Sequence, residues 1–170
     1  MLPVSAPAGF TVKVAGESGS TTDDYYIRYD ASENLWKECV RPGIPKSYDL
    51  QTMPHVLVRQ ADGSFLLRRA EWEERKTGDE DSNPEPSFIG YPIKDIVYFR
   101  NRLCFIAGEN VILSQSAGFF NFWMVSTKEV QDTDAIDLAI SDNKIATLHH
   151  AVPYDENLVL MSDDAQFILR

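Results

Sequence analysis

Cysteine is scarce in this sequence, and its placement excludes several kinds of site. Cys39 and Cys104 are the two cysteines among 170 residues, they stand far apart, and neither belongs to a CxxC pair. This spacing gives no zinc knuckle and allows at most one disulfide. We expect two reduced, buried thiols, and the sequence alone does not decide whether they ever pair.

Long apolar runs and positive charge are also in short supply. No run approaches the roughly 20 apolar residues of a membrane-spanning helix, and the N-terminal MLPVSAPAGF lacks the basic and apolar regions of a secretion signal. Lys and Arg number 16 against 26 Asp and Glu, which gives a formal net charge of −10. Because nucleic-acid affinity comes mostly from cationic side chains that neutralise phosphates, we do not expect tight binding of DNA or RNA. The default expectation is a protein without a membrane span, made in a cytoplasm.

The residues that are present predict a β-rich globular fold. The sequence is 44% apolar and 25% charged, and its apolar residues alternate with period 2 in short runs bounded by Gly, Asp, Asn or Pro. A folded chain of this length buries roughly 70% of its extended surface, so a hydrophobic core is expected. We predict an all-β fold.

Residues 1–52 predict a small antiparallel β meander. GFTVKVAGE, DYYIRYDAS and NLWKECVRP have the alternation of three strands, and residues 30–34 supply the turn between the second and the third.

The next segment predicts a hairpin followed by a loop. Alternating runs from Val56 to Gln60 and from Phe65 to Arg69 flank Asp62-Gly63, a dipeptide whose tolerance of positive φ favours a tight turn, so we predict a hairpin over 56–69. Residues 71–86, EWEERKTGDEDSNPEP, are acidic and contain two prolines, which predicts a solvated surface loop.

From residue 95 onward the polar alternation is weak. DIVYFRNRLCFIAGENVILSQS is apolar at both parities, which predicts strands covered on both faces, and further short strands are predicted at IDLAIS, IATLHHAV, NLVLMS and QFILR. GFFNFW, at residues 118–123, is too aromatic to remain in water and is predicted to fill the gap beside a neighbouring layer. Because the sequence stops directly after an apolar strand, we expect it to be cut from a longer protein.

A calcium site is weakly suggested in the acidic segment. Asp79, Asp81 and Asn83 alternate as in an EF-hand loop, but Pro84 stands where that loop needs Gly and Gly90 where it needs Glu. A solvated acidic loop is the favoured interpretation.

Histidines and serines give no stronger signal for chemistry. His149 and His150 are adjacent and would point to opposite faces of a strand, while His55 is distant in sequence. Ser114 and Ser116 belong to no GxSxG elbow and have no identifiable base. We predict no catalytic, cofactor-binding or metal-binding residues and no cofactor.

Six aromatic residues have side chains able to stack against sugar rings. They are Trp36, Trp72, Trp123, Tyr25, Tyr26 and Tyr29. In strands of alternating pattern such residues more often pack in the core or between sheets, and this is the favoured interpretation.

Short motifs along the chain carry a family resemblance. MPH, ADG, EW, GD, NP, PSF, RNRL, GEN, LS, FNFW and AVP occur in this order and at the family's spacing. By these motifs the sequence resembles the tail tubular protein B, or nozzle, family of short-tailed phages and prophages. The resemblance extends over nearly the whole chain and identifies it as an internal fragment of a longer family member.

The resemblance implies a fold and a function. The fold would be a small β insertion-like subdomain over 1–52 and a partial β-propeller over 53–170, with blade strands at 95–170. The protein would be a virion structural component of the tail, made in the bacterial host cytoplasm, and not an enzyme. It would form a ring with copies of itself below an adapter of the tail tubular protein A type, contact tail-fibre proteins, and let DNA pass during ejection without binding it specifically.

Two other classes stay open at this point. One is a carbohydrate-binding or glycan-cleaving β-propeller module that stacks sugars on Trp and Tyr and cleaves with two carboxylates. The other is a redox or metal protein that uses Cys39 and Cys104 with histidines.

Overall fold

The computed structural model describes residues 2–16, 24–141 and 146–170. These residues contain twelve β-strands, which form four antiparallel sheets. The predicted strands GFTVKVAGE and IATLHHAV reach outside these ranges, at Glu17 and Ile145. No helix in the described ranges is long and apolar enough to cross a membrane. The strands are β1 Thr11–Val14, β2 Tyr25–Asp30, β3 Leu35–Cys39, β4 His55–Arg59, β5 Phe65–Arg69, β6 Ile93–Phe99, β7 Arg102–Ala107, β8 Asn110–Leu113, β9 Ile136–Ala139, β10 Leu148–Tyr154, β11 Asn157–Ser162 and β12 Gln166–Leu169. The predicted all-β class is confirmed, whereas the β-propeller stays a prediction.

The first sheet is the predicted meander, in the order β1-β2-β3. Its β2–β3 turn closes at Asp30, which pairs with Leu35, and Asn34 takes a φ of 56° there. The Oδ1 atom of Asp30 accepts hydrogen bonds from the backbone N and the hydroxyl of Ser32. These bonds fix the turn locally. Whether residues 1–52 form a separate subdomain stays a prediction.

The main sheet, β6 to β9, is a four-stranded meander that separates two cores. Cys104 and Ile106 of β7 pack in a cluster with residues of the three-stranded sheet β10–β12, while Phe105 and Ala107 pack in a second cluster with loop residues. The prediction of strands covered on both faces is therefore confirmed for β7 and β8. It is wrong for one face of β6, where Ile96 is 47% and Tyr98 59% exposed.

The turn from β6 to β7 decides which residues share a core. Arg100 and Asn101 both have positive φ, 46° and 60°, which suits a two-residue hairpin loop. Val97 consequently lies opposite Cys104, so odd positions of β6 share a face with even positions of β7. Within each strand, residues with odd numbers share one face and residues with even numbers the other. Across this turn the assignment reverses, so odd positions of β6 lie beside even positions of β7.

The GFFNFW segment covers one face of the main sheet, and the three-stranded sheet β10–β12 covers the other. Phe122 and Trp123 are buried in the second core, where Phe122 stacks on Phe105 with ring centroids 4.8 Å apart. The segment is packed as predicted, but the layer that it covers is the main sheet, through Phe105 of β7. Its first aromatic residue, Phe119, remains 38% exposed.

The acidic segment, residues 71–86, contains no β-strand but is packed into the fold. Four of its polar residues, Arg75, Thr77, Asp79 and Asn83, are 5% exposed or less. The expectation of a solvated surface loop is wrong for these residues, and for Arg75 and Asn83 the contacts are with the remote residues Trp123 and Met124.

Candidate functional site

The hairpin of β4 and β5 projects from a buried base. Its strands pair from His55 opposite Arg69 to Arg59 opposite Phe65. Two buried residues flank the hairpin at its base, Met53 and Ala70, each 5% exposed. The hairpin predicted from the Asp-Gly dipeptide is present, and Gly63 adopts the positive φ, 86°, that this turn requires.

One face of the hairpin, which we call its outward face, exposes large apolar side chains. Leu57 lies directly opposite Leu67, and Phe65 stands on the same face two pairs further along. These three side chains are 64%, 66% and 63% exposed. A contiguous exposed apolar group of this kind is characteristic of a surface that another molecule covers.

An apolar cleft of about 290 Å³ lies beside the base of the hairpin, where His55 and Val56 reach it. The cleft is lined by Pro54, His55, Val56, Trp72, Ile96, Tyr98, Leu103, Phe105, Phe119 and Phe120. Apart from His55 and the Tyr98 hydroxyl, these side chains are hydrocarbon or aromatic. The cleft is chemically suited to an apolar side chain of a partner rather than to an ion or a sugar.

Trp72 anchors the floor of this cleft. Its ring meets Phe120 edge-on at 5.1 Å and Phe105 edge-on at 5.9 Å. The backbone N of Glu73 donates to the carbonyl of Phe120 over 3.0 Å, and Nε1 of Trp123 donates to the carbonyl of Glu73 over 3.1 Å. The acidic segment and the GFFNFW segment therefore support the cleft as one packed unit.

A buried cation stabilises that unit from beneath. The guanidinium carbon of Arg75 lies 4.6 Å from the centroid of the Trp123 ring, and its Nη atoms contact the Glu80 carboxylate at 3.3 and 3.4 Å. Tyr48 stacks on Trp123 at 5.1 Å with the rings 9° from parallel. Burial raises the pKa of the Tyr48 hydroxyl, so this phenol stays neutral.

The residues considered for calcium binding form a turn instead. Oδ1 of Asp79 accepts hydrogen bonds from the backbone N of Asp81 at 3.1 Å and from the N and hydroxyl of Ser82 at 3.1 and 2.9 Å. Burial alone would raise the pKa of Asp79, but the bonds from Ser82 and Asp81 outweigh it and lower the pKa. In the parts of the chain that the structure describes, no cluster of three or more His, Cys, Asp or Glu is arranged for a metal ion.

Asn83 connects this turn to the segment after GFFNFW. Its Nδ2 donates to the carbonyls of Thr77 at 3.0 Å and Met124 at 3.3 Å, and its Oδ1 accepts from the Met124 N at 3.1 Å. Next to it, Gly78 has a φ of +79° and no room for a side chain, because an added Cβ would lie 2.8 Å from Cβ of Asn83. The NP and GD motifs thus mark backbone geometry and not a ligand site.

Arg102 is a structural residue that sequence reasoning missed. Its guanidinium is almost fully buried and donates to the carbonyls of Asp134 at 2.5 Å, Ser114 at 2.7 Å, Asp132 at 2.7 Å and Thr133 at 3.3 Å. It therefore fixes the loop before β9 against the end of β8. The only sequence signal was its place in the RNRL motif.

The histidines and serines considered for chemistry are not brought together. His149 contacts Asp163 at 2.9 Å and His150 lies 3.5 Å from Asp95, whereas His55 belongs to the hairpin. The Ser114 hydroxyl is buried, accepts from the Leu103 N and donates to the carbonyl of Gln115, each at 3.0 Å. These are structural contacts at the ends of strands.

Cys39 and Cys104 lie in different sheets, and both thiols are buried and free. Burial raises the pKa of Cys39, and it raises that of Cys104 to about 12. A buried thiol with a raised pKa is a poor nucleophile and a poor metal ligand. The expectation of two buried thiols is confirmed.

The aromatic residues considered for sugar stacking are largely covered. Tyr26, Tyr29 and Trp123 are buried, and half-buried Trp36 packs against Tyr29 at 5.3 Å and donates from Nε1 to the Pro3 carbonyl. Trp72 forms the cleft floor, and the Lys128 Nζ lies 4.4 Å from the Tyr25 ring centroid. This arrangement does not favour a glycan-binding surface.

Comparison with known proteins gives two matches. A family model described as bacteriophage nozzle protein matches residues 1–170. The tail tubular protein gp12 of Escherichia phage T7 is 47% identical over 168 residues, which cover 99% of this chain and 21% of that protein. The chain therefore spans about a fifth of the length of this curated relative.

Proposed function

This chain belongs to the bacteriophage nozzle protein family, whose model matches residues 1–170, and on that premise we propose that it is a structural segment of a phage tail nozzle subunit. The observation that carries the proposal is the 47% identity to a tail tubular protein over 99% of the chain. The segment acts in the virion tail after synthesis in the bacterial host, and its role is structural rather than enzymatic.

The subunit assembles into a ring with copies of itself, below an adapter of the tail tubular protein A type and beside tail-fibre proteins. Two exposed features support an assembly role: the outward face of the hairpin and the apolar cleft beside its base. Exposed apolar surfaces of this kind gain free energy when a protein partner covers them.

The ring forms part of the conduit through which DNA is ejected. The formal net charge of −10 supports passage without specific binding, because carboxylates within a Debye length of about 8 Å repel phosphates. An acidic wall would therefore not trap DNA that has to slide.

Residues 53–170 form part of a β-propeller, and residues 1–52 form a small β subdomain beside it. The four-stranded meander β6–β9 has the strand number and order of a propeller blade. It packs face to face against the meander β10–β12 through one core, as adjacent blades do.

The proposal is tested on the complete subunit that contains this segment, with and without the adapter protein. We expect native mass spectrometry to give a closed ring that binds the adapter, and electron microscopy of that ring to place this segment in a blade. A complete subunit that stays monomeric and ignores the adapter would contradict the nozzle role. A ring whose density has no blade at 95–170 would contradict only the propeller.

A further inference from the structure

The β1–β3 meander is connected to the rest of the described structure through loops and not through a shared core. Among the described residues its strands pair only with one another. Of the two core clusters in this part of the chain, neither contains a residue of these strands. The buried side chains of Tyr26, Ile27 and Tyr29 therefore belong to neither core. Contacts with loops consequently set how the meander is oriented on the main sheet.

The carboxylate of Glu38, in β3, accepts three hydrogen bonds from one remote loop. The hydroxyl of Ser126 donates to Oε2 over 2.7 Å, and the backbone N and the hydroxyl of Thr127 donate to Oε1 over 3.1 and 2.9 Å. Hydrogen bonds to an ionised acceptor are about twice as strong as those between neutral groups. Glu38 is also half-buried, so water competes with these donors only in part. This one carboxylate therefore binds the loop firmly.

The loop lies along one face of the meander. Glu38 is opposite Ile27 in the register, so the two side chains share a face with Tyr25, which stands two positions before Ile27. The Lys128 Nζ lies 4.4 Å from the centroid of the Tyr25 ring. Residues 126–128 consequently follow this face from β3 to β2.

Thr127 joins the meander to the turn at Gly78. Its hydroxyl contacts Glu38, while its Cγ2 lies so close to Gly78 that a Cβ added there would be 2.7 Å away. The carbonyl of Gly78 accepts from the Arg41 N over 2.9 Å, and Gly78 forms a parallel bridge with Val40, directly after β3. The end of β3, this turn and the loop therefore meet at one point.

We propose that Glu38 is a positioning residue, whose carboxylate fixes the orientation of the meander relative to the main sheet. An orientation that a shared core holds depends on many side chains, whereas here three hydrogen bonds end on one carboxylate. Without this carboxylate the meander keeps its strands and turns about the bridge between Val40 and Gly78. The proposal goes beyond the nozzle function and holds whether or not the subunit forms a ring.

The direct test measures the distance between the meander and the main sheet in the complete subunit. Spin-labelled p-acetylphenylalanine in place of Arg28 and Lys94, both exposed, reports this distance by pulsed electron paramagnetic resonance. We expect a single narrow distance distribution with Glu38 present and a broad one in Glu38→Ala. Glu33→Ala is the matched control, because it removes a carboxylate of the same sheet that contacts Lys37 at 2.5 Å, inside the meander. Its distribution should stay narrow.

Hydrogen exchange separates orientation from stability. In Glu38→Ala the amide of Thr127 should exchange about tenfold faster or more, the factor for losing a hydrogen bond to a charged acceptor, while β2 and β7 stay protected. Faster exchange throughout β2 or β7 would mean that Glu38 maintains the fold itself, which would overturn the proposal. A narrow, unshifted distance distribution in Glu38→Ala would also overturn it, since other contacts of the complete subunit would then hold the meander. Equal broadening in Glu33→Ala would overturn it as well.

Thr127→Val is a second variant that leaves Glu38 in place. It removes the hydroxyl that donates to Glu38 and keeps the branched shape that packs on Gly78. It should broaden the distribution less than Glu38→Ala, because the hydroxyl of Ser126 and the backbone N of Thr127 still donate. If Glu38→Ala does not fold, a distribution as narrow in Thr127→Val as in the unsubstituted subunit overturns the proposal. A subunit that forms no ring would contradict the nozzle function alone, since the distance is measured within one polypeptide.

Discussion

Asn83 and Met124 are joined by hydrogen bonds in both directions. The Met124 N donates to Oδ1 of Asn83 over 3.1 Å, and Nδ2 of Asn83 donates back to the Met124 carbonyl over 3.3 Å. The acidic segment is thereby tied to the chain that follows GFFNFW, and the floor of the apolar cleft depends on both segments.

Asn83→Ala should lower the free energy of unfolding by about 1–3 kcal/mol, because the Met124 and Thr77 backbone groups lose buried partners. Urea unfolding followed by tryptophan fluorescence would measure this. Asn110→Ala removes an exposed hydrogen bond to Asp137 and should cost less than about 1 kcal/mol. An equal loss in the two variants would show that the amide of Asn83 has no special role.

Gly78→Ala should destabilise the fold far more than Gly63→Ala. Both glycines have positive φ, +79° and +86°, so both alanines incur backbone strain of about 1 kcal/mol or more. Only at position 78 would the new Cβ also collide, at 2.7 Å from Cγ2 of Thr127, whereas nothing lies within 4 Å at position 63. We expect a difference of about 2 kcal/mol or more in unfolding free energy. Similar midpoints for both variants would contradict the packing described around Gly78.

Arg102→Met should loosen the loop before β9. The buried carbonyls of Ser114, Asp132 and Asp134 lose their donor, and we expect a loss of about 2–4 kcal/mol. Hydrogen exchange should rise at residues 131–134 first. Arg28→Met, at an exposed arginine of β2, is the control and should change neither quantity by much. Unchanged hydrogen exchange in this loop would contradict the proposed role of Arg102 in fixing it.

Cys104 should make stability fall at alkaline pH. Its thiol ionises near pH 9.0 when exposed and near pH 12 in the fold, because burial disfavours the thiolate. The raised pKa means that the contribution is fully present below pH 9 and is lost as the pH rises toward 12.

Cys104→Ala removes this term, so the stability difference between wild type and variant should shrink by about 2 kcal/mol between pH 7 and pH 10.5. Urea unfolding of both proteins across this range measures it. A difference that stays constant with pH would show that the thiol does not ionise differently in the two states.

The strands and turns could be predicted from the sequence where local contacts determine the structure. Alternation and turn residues predicted the β1–β3 meander and the hairpin at Asp62-Gly63, and apolar residues at both parities predicted the two-sided packing of β7. The family resemblance was likewise visible in short motifs, and the match over residues 1–170 bears it out.

The acidic segment was misjudged because its partners are remote. Its composition indicates solvation, yet Arg75 meets Trp123 and Asn83 meets Met124, which stand more than forty positions later. The exposure of the outward face of the hairpin could not be predicted from the sequence either. Alternation shows that Leu57 and Leu67 share a face, but it does not show which face of a hairpin another layer covers.

The β6–β7 turn has a consequence for how this segment can evolve. Since Arg100 and Asn101 alone join the strands and Val97 lies opposite Cys104, one inserted or deleted residue would exchange the two faces of β7. Phe105 would then point at the sheet β10–β12 and Cys104 at the aromatic core, so a phenyl ring would have to fit where a thiol now packs and a thiol would leave the place of the ring unfilled. Length changes among related proteins should therefore be absent at this turn or occur two residues at a time, and an alignment that places a single-residue gap there is misaligned.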